Sequence, residues 1–301
     1  MTDADRMTDG RLCHVVVVVG PTASGKSALA LALAAGLGGE VVNGDAMQLY
    51  RGMDIGTAKT PPACRGGVRH NLLDVLDVTE SASVAAFQRE ARRAIDDCHS
   101  RGVTPVLTGG SSLYVRAVID QLEFPGTDPA VRARWVAELD DRGAEALHGV
   151  LAERDPAAAA HILPSNGRRI VRALEVIELT GQPFIATMPA HESIYPHVTM
   201  IGLDVPRADL DVRLSARVDQ MWESGLIDEV RALREVGLDD GDTAPRAIGY
   251  SQAVEQLDGQ LSEAEAKTQT VRATKKFARR QDRLFRQDPR IHWVSDIEWV
   301  S

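Results

Sequence analysis

The sequence predicts an α/β fold, a parallel sheet flanked by helices and interrupted by an inserted helical subdomain, and three observations predict it. An unbroken apolar run at residues 15–19 reads as a buried strand and leads directly into Gly20-Pro21-Thr22-Ala23-Ser24-Gly25-Lys26-Ser27, which matches the phosphate-cradling pattern G-x-x-x-x-G-K-[ST]. The same grammar of strand, small-residue turn and helix returns at residues 104–112. From residue 123 to 198 the composition shifts to helix-forming segments punctuated by Pro125-Gly126, Asp155-Pro156, Pro164, Gly181 and Pro189. The expected organisation is a P-loop NTPase-like core formed by residues 13–122 and 199–301, an inserted helical subdomain at 123–198, and a short disordered leader at 1–12.

Each element follows from its residues. Five valines in succession suit a strand covered by helices on both faces. The Ala/Leu-rich segment 28–37 is the helix whose N-terminal amides point at an anion in the loop. Glycines let the loop backbone approach phosphate oxygens, Lys26 places a charge on the outer phosphate, and the Ser27 hydroxyl is suited to ligate a phosphate-bound magnesium ion. Residues 40–45 read as a second strand ending in Asp45, which sets a carboxylate at the carboxyl edge of the sheet, where open α/β sheets bind ligands. The loop 47–69 carries turn signals at Gly52, Gly56, Pro61-Pro62 and Gly66-Gly67, and connections of that length are often functional. Ser83 opens a helix to about residue 100, with Val84, Phe87, Ala91 and Ile95 on one side. Residues 104–108 form a strand running into Gly109-Gly110-Ser111-Ser112, so Ser111 stands at another helix N-terminus. After the insertion, 198–205 rejoins the sheet, with Asp204 ending the strand and capping the next helix. Residues 210–236 read as one long amphipathic helix, and a short strand closes the core at 291–294.

Composition narrows the function classes. With 44% hydrophobic and 26% charged residues, the chain is ordinary for a globular protein, and no apolar run approaches the ~20 residues of a membrane span. The polar first ten residues lack the apolar stretch of a signal peptide, so a cytoplasmic address and no membrane partner are expected. Cys13, Cys64 and Cys98 are too few and too dispersed for a disulfide framework or a zinc site. A net charge of −9 argues against a nucleic-acid partner, but its distribution reverses that argument. Arg272, Lys275, Lys276, Arg279, Arg280, Arg283 and Arg286 fall along one helical face with a single acid, Asp282, among them. A positive stripe on an acidic chain points to a polyanion. Trp135, Trp222, Trp293 and Trp299 are expected to pack, and the run 157–160 with His161 to be plain helix.

The phosphate loop alone leaves three owners open: a small-molecule kinase that consumes ATP, a nucleotide switch, or an enzyme acting on another diphosphate. A guanine switch needs Asn-Lys-x-Asp to read its base, and none of Asn43, Asn71 and Asn166 is followed by lysine. The kinase alternative wants a strand ending in a magnesium-binding aspartate, a place Asp45 and Asp204 each fill loosely. A non-catalytic RNA-binding module with a relic loop is a further reading.

Further motifs separate these. The phosphate loop, Asn43-Gly-Asp-Ala-Met-Gln-Leu-Tyr-Arg-Gly-Met-Asp-Ile-Gly-Thr-Ala-Lys59, Gly109-Gly-Ser-Ser-Leu-Tyr114, Arg168-Arg-Ile-Val-Arg-Ala-Leu-Glu175 and Arg246-Ala-Ile-Gly-Tyr250 together resemble the tRNA dimethylallyltransferases, also called tRNA isopentenyltransferases. The resemblance is collinear over roughly residues 15–294, and the Asp-Ile-Gly-Thr-Ala-Lys loop is its most specific part.

The resemblance implies transfer of a dimethylallyl group from dimethylallyl diphosphate to the exocyclic N6 of adenosine 37, beside the anticodon, in tRNAs reading codons that begin with U. It also implies a monomer. Bottom-up chemistry agrees. Displacing diphosphate from an allylic carbon needs its charge stabilised, by Lys26, the loop amides, magnesium on Ser27, and Arg246. Asp45 is placed to accept the proton from the amino group. By the same resemblance Ser111, at a position usually held by threonine, contacts diphosphate and tRNA. Residues expected to touch the anticodon stem-loop are Asp45, Ala46, Met47 and Gln48; Arg168, Arg169, Ile170, Val171 and Arg172; and Arg246, Ala247, Ile248, Gly249, Tyr250 and Ser251. Arg132 in the insertion and Arg279 and Arg280 on the basic helix join them, so that the insertion, as a tRNA-binding subdomain, and the helix would clamp the RNA while the target base leaves its stack.

Overall fold

The five valines form the middle of the sheet. In the computed structural model, which describes residues 13–184 and 191–295, they lie in β1 (His14–Val19), and all five are buried. The expected leader and Trp299 lie outside the described residues, as does Pro189 of the insertion.

On one side β1 pairs with β4 (Pro105–Gly109), which pairs with β2 (Glu40–Asn43) and through it β3 (His70–Asn71). On the other it pairs with β5 (His197–Leu203) and then β6 (Ile291–Val294). Every pairing is parallel, in the order β3-β2-β4-β1-β5-β6. Side chains alternate between faces, so Val15, Val17 and Val19 join one core with Phe87, Ile95 and Phe285, while Val16 and Val18 join another with Leu29, Ala30 and Ala34.

The helices covering the sheet are α1 (Lys26–Leu37), α2 (Val84–Ser100) and α3 (Ser112–Ile119). Ser83 caps α2 by accepting a hydrogen bond from the Ala86 amide. Asp45 does not end β2 as expected. Asn43 ends it, its carboxamide oxygen accepting from the Asp45 amide and its nitrogen donating to the Asp45 and Leu72 carbonyls, a side-chain turn that lifts the chain off the sheet.

The described residues divide into two compact units: those up to Gln121 together with those from Ser193, and Leu122–Glu192. Residues 193–198, read from sequence as insertion, fall with the sheet because β5 starts at His197. The second unit consists of α4 (Pro129–Arg154), α5 (Pro156–His161) and α6 (Gly167–Thr180) around Trp135, Leu147, Leu151, Ile170 and Leu174.

Beyond β5, the single helix expected at 210–236 is two: α7 (Arg207–Glu223) and α8 (Leu226–Glu235). Gly225, at φ 96°, takes a left-handed turn that glycine adopts without strain and that restarts the helix on a new axis. β5 ends at Leu203, and among the described residues Asp204 caps no helix; it pairs with Arg286, and Pro206 precedes α7. Then come α9 (Tyr250–Leu257) and the basic helix α10 (Glu263–Phe285), the latter opened by a reciprocal cap between Ser262 and Glu265.

Candidate active site

Register brings the segments together. Val19 lies opposite Gly109 and Gly202, and Asn43 opposite Thr108, so the turns leaving β1, β2 and β4 start at one level of the sheet. The phosphate loop fills the space above β1. Lys26 Nζ donates to the Pro21 carbonyl at 3.3 Å, and Ser24 is fully buried behind Gly20. Thr22 ties the loop to two distant helices: its amide donates to Gln281 Oε1 at 2.9 Å, and its hydroxyl accepts from an Arg217 Nη at 3.0 Å.

Two cavities open here. One, of about 330 Å³, is lined by the loop residues Thr22, Ala23, Gly25, Lys26 and Ser27, with Asn43, Asp45, Gln48, Thr108 and Arg217 among its other walls. The second, of about 360 Å³, is mostly apolar, with Met47, Leu214, Val218, Met221, Ile248 and Phe277 around Asp45, Ser111 and Arg246. Four residues line both: Thr22, Asp45, Thr57 and Arg217. A polar, loop-lined chamber thus adjoins an apolar one of ligand size, with a carboxylate at their junction.

Electrostatics mark the first chamber for an anion. Burial lowers the Lys26 ammonium to about 8, with Asp45 opposing and Arg217 adding to the shift. The Arg217 guanidinium is also pulled down by burial, against the pull of Asp45. Two desolvated cations sharing one carboxylate gain from a further negative charge. Asp45 is held by its neighbours, one carboxylate oxygen accepting from the Met47 amide at 2.9 Å. Ser111 stands before α3, and its hydroxyl is not used to cap that helix.

The expected residues distribute unequally. Ala46 and Met47 line the apolar cavity; Gln48 lines the polar one and donates to the Thr57 carbonyl. Arg246, Ala247, Ile248 and Tyr250 border the apolar cavity only, so Arg246 is not placed on the phosphate-loop chamber. The Ala247 and Tyr250 side chains are buried, and Ser251 follows half-buried in the first turn of α9. Arg279 and Arg280 are exposed on α10.

In the helical unit, Arg168 and Arg169 are exposed, but Ile170 and Val171 are core, which removes their side chains from any RNA contact. Arg132 and Arg172 both bind the buried Glu175, and Arg172 also donates to the Pro125 and Gly126 carbonyls. Their first duty is to neutralise that carboxylate, which a lone burial would make costly. Trp135 and Trp222 are buried, their indole N–H groups donating to Glu178 and Gln256, and Trp293 lies under Arg286.

Sequence reasoning missed Arg217, Gln281 and Glu229, while Thr57, which lines both cavities, stood in the Asp-Ile-Gly-Thr-Ala-Lys loop without a role assigned to it. Glu229 accepts from the amides of Asp54 and Ile55 and from the Tyr250 hydroxyl, and so fixes the Asp-Ile-Gly-Thr-Ala-Lys loop from below. The one available signal was Gln281, an uncharged polar residue on the inward side of the basic helix.

Comparison with known proteins places this geometry. Residues 48–288 match the family model described as IPP transferase. A tRNA dimethylallyltransferase of Streptomyces coelicolor is 62% identical over 282 residues, covering 94% of this chain and 90% of that protein. One of Thermobifida fusca is 61% identical over 285 residues, 93% of this chain and 89% of its own length. Among solved structures, the full-length tRNA isopentenylpyrophosphate transferase of Bacillus halodurans superposes with a TM-score of 0.69 at 41% identity, covering 95% of this chain and 92% of that one. A eukaryotic dimethylallyltransferase solved acting on tRNA gives 0.76 at 25% identity, covering 95% and 75%.

Proposed function

The chain belongs to the IPP transferase family, and from that membership we propose that it transfers the dimethylallyl group of dimethylallyl diphosphate to N6 of adenosine 37 in tRNAs reading codons that begin with U. The observation that carries the reading is Asp45 at the junction of the phosphate-loop chamber and the apolar one. Diphosphate suits the first by its charge, the five-carbon allyl group suits the second, and the bond to be broken then lies beside the carboxylate.

In the reaction the carbon–oxygen bond of the allylic ester breaks and its electron pair leaves with diphosphate. The amino nitrogen forms the new bond to that carbon, and its proton passes to Asp45. Lys26, Arg217 and the loop amides hold the departing charge, and the two cations, both desolvated by burial, are each worth more there than in solution. Ser111 and Arg246 border the chamber the alkyl group and base would share.

Among the described residues no group of three or more His, Cys, Asp or Glu side chains could hold a metal, so a divalent ion would be held mainly by the diphosphate itself, the usual manner for magnesium. Ser27 and the carboxylate of Asp45 line that chamber, and the buried Thr108 hydroxyl there has no hydrogen-bond partner among the described residues, a donor set that fits such an ion. Magnesium there would neutralise the leaving group. Among the described residues no helix is long and apolar enough to cross a membrane, and we place the reaction in the cytoplasm, carried out by a monomer.

The test is incubation with magnesium, labelled dimethylallyl diphosphate and an unmodified tRNA carrying adenosines at positions 36–38, beside the same tRNA with guanosine at 37. Label confined to the first RNA supports the reading. Unlabelled RNA with metabolite-stimulated ATP turnover would hand the chain to the small-molecule kinase class.

A further inference from the structure

Phe277 is an aromatic side chain left 40% exposed on the basic helix. Exposure alone would mean little, because single apolar residues are common on surfaces. Its position carries more. Phe277 and Ile248 line the apolar cavity that contains Asp45, and the same two residues line an open groove of about 530 Å³ on the other side, whose remaining walls are Ala273, Lys276, Arg279, Arg280 and Arg283. Among the described residues these two alone are common to the cavity and the groove. Four cations around an apolar floor match a nucleic-acid strand in charge, and an aromatic face set among cations is how single-stranded bases are held independently of hydrogen bonding.

We propose that Phe277 is the stacking platform for the target adenine of the RNA, receiving it as it leaves the basic groove and setting its amino group toward Asp45, with Ile248 as the second wall of the passage. The inference rests on the RNA-modifying reading above and adds a residue to it. Target choice then has a component that reads no hydrogen bond at all: any extruded purine can lie on the ring, and discrimination is left to the chamber beyond it. The unstacking that extrusion demands is partly recovered on the protein. No step of the chemistry passes through Phe277; the ring acts on the capture and seating of RNA, and as a wall of the apolar cavity it also borders the space given to the alkyl group.

The experiment compares Phe277→Ala, Phe277→Leu and Phe277→Tyr with the unaltered protein. Two readouts are used: steady-state transfer to tRNA, and binding of an anticodon stem-loop carrying 2-aminopurine at the target position, whose fluorescence falls when the base stacks. Removing the ring should lower kcat/KM for RNA about ten- to a hundred-fold, a loss that persists when dimethylallyl diphosphate is saturating. Bound 2-aminopurine should be brighter in the Ala variant. Tyrosine should restore both readings, while leucine, which keeps bulk without a π-face, should restore neither. Wild-type behaviour in the leucine variant would reduce Phe277 to packing, and unchanged fluorescence in the alanine variant would overturn the proposal. Absence of transfer by the unaltered protein, by contrast, would sink the RNA-modifying reading itself.

Discussion

Tyr250 and Glu229 are joined by a short hydrogen bond, the phenol hydroxyl donating to a carboxylate oxygen at 2.5 Å. The same carboxylate accepts from the backbone amides of Asp54 and Ile55 at 3.1 and 2.8 Å. Gly56 lies flat against the Tyr250 ring, where a Cβ would come within 2.3 Å of it. On the other flank Lys59, almost wholly buried, binds Asp54 and Asp74 at 2.6 Å and the Tyr50 carbonyl at 2.9 Å. The loop that presents Gly56 and Thr57 to the cavity is therefore clamped from both sides.

Breaking the first clamp should show in catalysis and in stability together. Glu229→Ala leaves two loop amides and a buried phenol without their acceptor, and should lower stability by roughly 2–4 kcal/mol. Tyr250→Phe removes one charge-assisted bond and should cost about 1–2 kcal/mol. Since the Tyr250 side chain is fully buried, its loss should leave RNA affinity within a few-fold of normal, readable by filter binding beside thermal unfolding. A large loss of affinity with unchanged stability would make Tyr250 an RNA contact after all.

Lys26 sets a pH limit on diphosphate capture. Burial lowers its ammonium to about 8, so the free protein loses that charge as pH rises through this value, whereas a bound anion stabilises the charged form. Affinity for dimethylallyl diphosphate should therefore be highest below about pH 8 and weaken above it. Lys26→Arg keeps its charge throughout and should bind with a flat profile over the same range. A falling limb that persists in the arginine variant would assign it to another group.

Asp45→Asn tests the proposed base with little change of shape, because the amide oxygen can still accept from Met47. The rate of transfer should drop on the order of 10²–10⁴-fold while KM for RNA stays within a few-fold. There is a second consequence. The Asp45 charge props up the Lys26 ammonium, so its removal should shift the limb of diphosphate binding to lower pH.

The phosphate loop was legible because its chemistry belongs to eight consecutive residues and their backbone. That Asp45 and Ser111 would lie near one another was legible because the turns that follow β2 and β4 open at one edge of a parallel sheet, although Asp45 itself stands two residues past the strand end. Arg217 and Gln281 were not, since each reaches Thr22 from 195 and 259 residues away, through helix packing that no local pattern records. The split at Gly225 was written in the sequence and lost beneath a continuous apolar stripe. Arg132 and Arg172 were expected at the RNA, Arg172 from the resemblance over residues 168–175 and Arg132 as a cation of the insertion, and neither expectation included their shared partner. Glu175 sits inside that segment, and only folding shows that both arginines converge on it.

The basic helix offers the last prediction, with an internal control. Arg279 and Arg280 are exposed, and among the described residues neither forms an ion pair, whereas Arg286 pairs with Asp204 and Asp282 and lies 3.8 Å over the Trp293 ring. Cations free to meet phosphate release counterions when they do, and cations already paired release none. Replacing Arg279 and Arg280 together with alanine should therefore weaken tRNA binding and reduce the slope of log affinity against log salt by roughly 1.5, the sum for two phosphates. Arg286→Ala should leave that slope nearly unchanged and act on stability instead, through Asp204 and Trp293. Measured across 50–200 mM salt, equal slopes for the double variant and the unaltered protein would return Arg279 and Arg280 to the solvated surface. A slope reduced by Arg286→Ala would mean that its ion pairs open on binding, and that the RNA path extends to the C-terminal end of the helix.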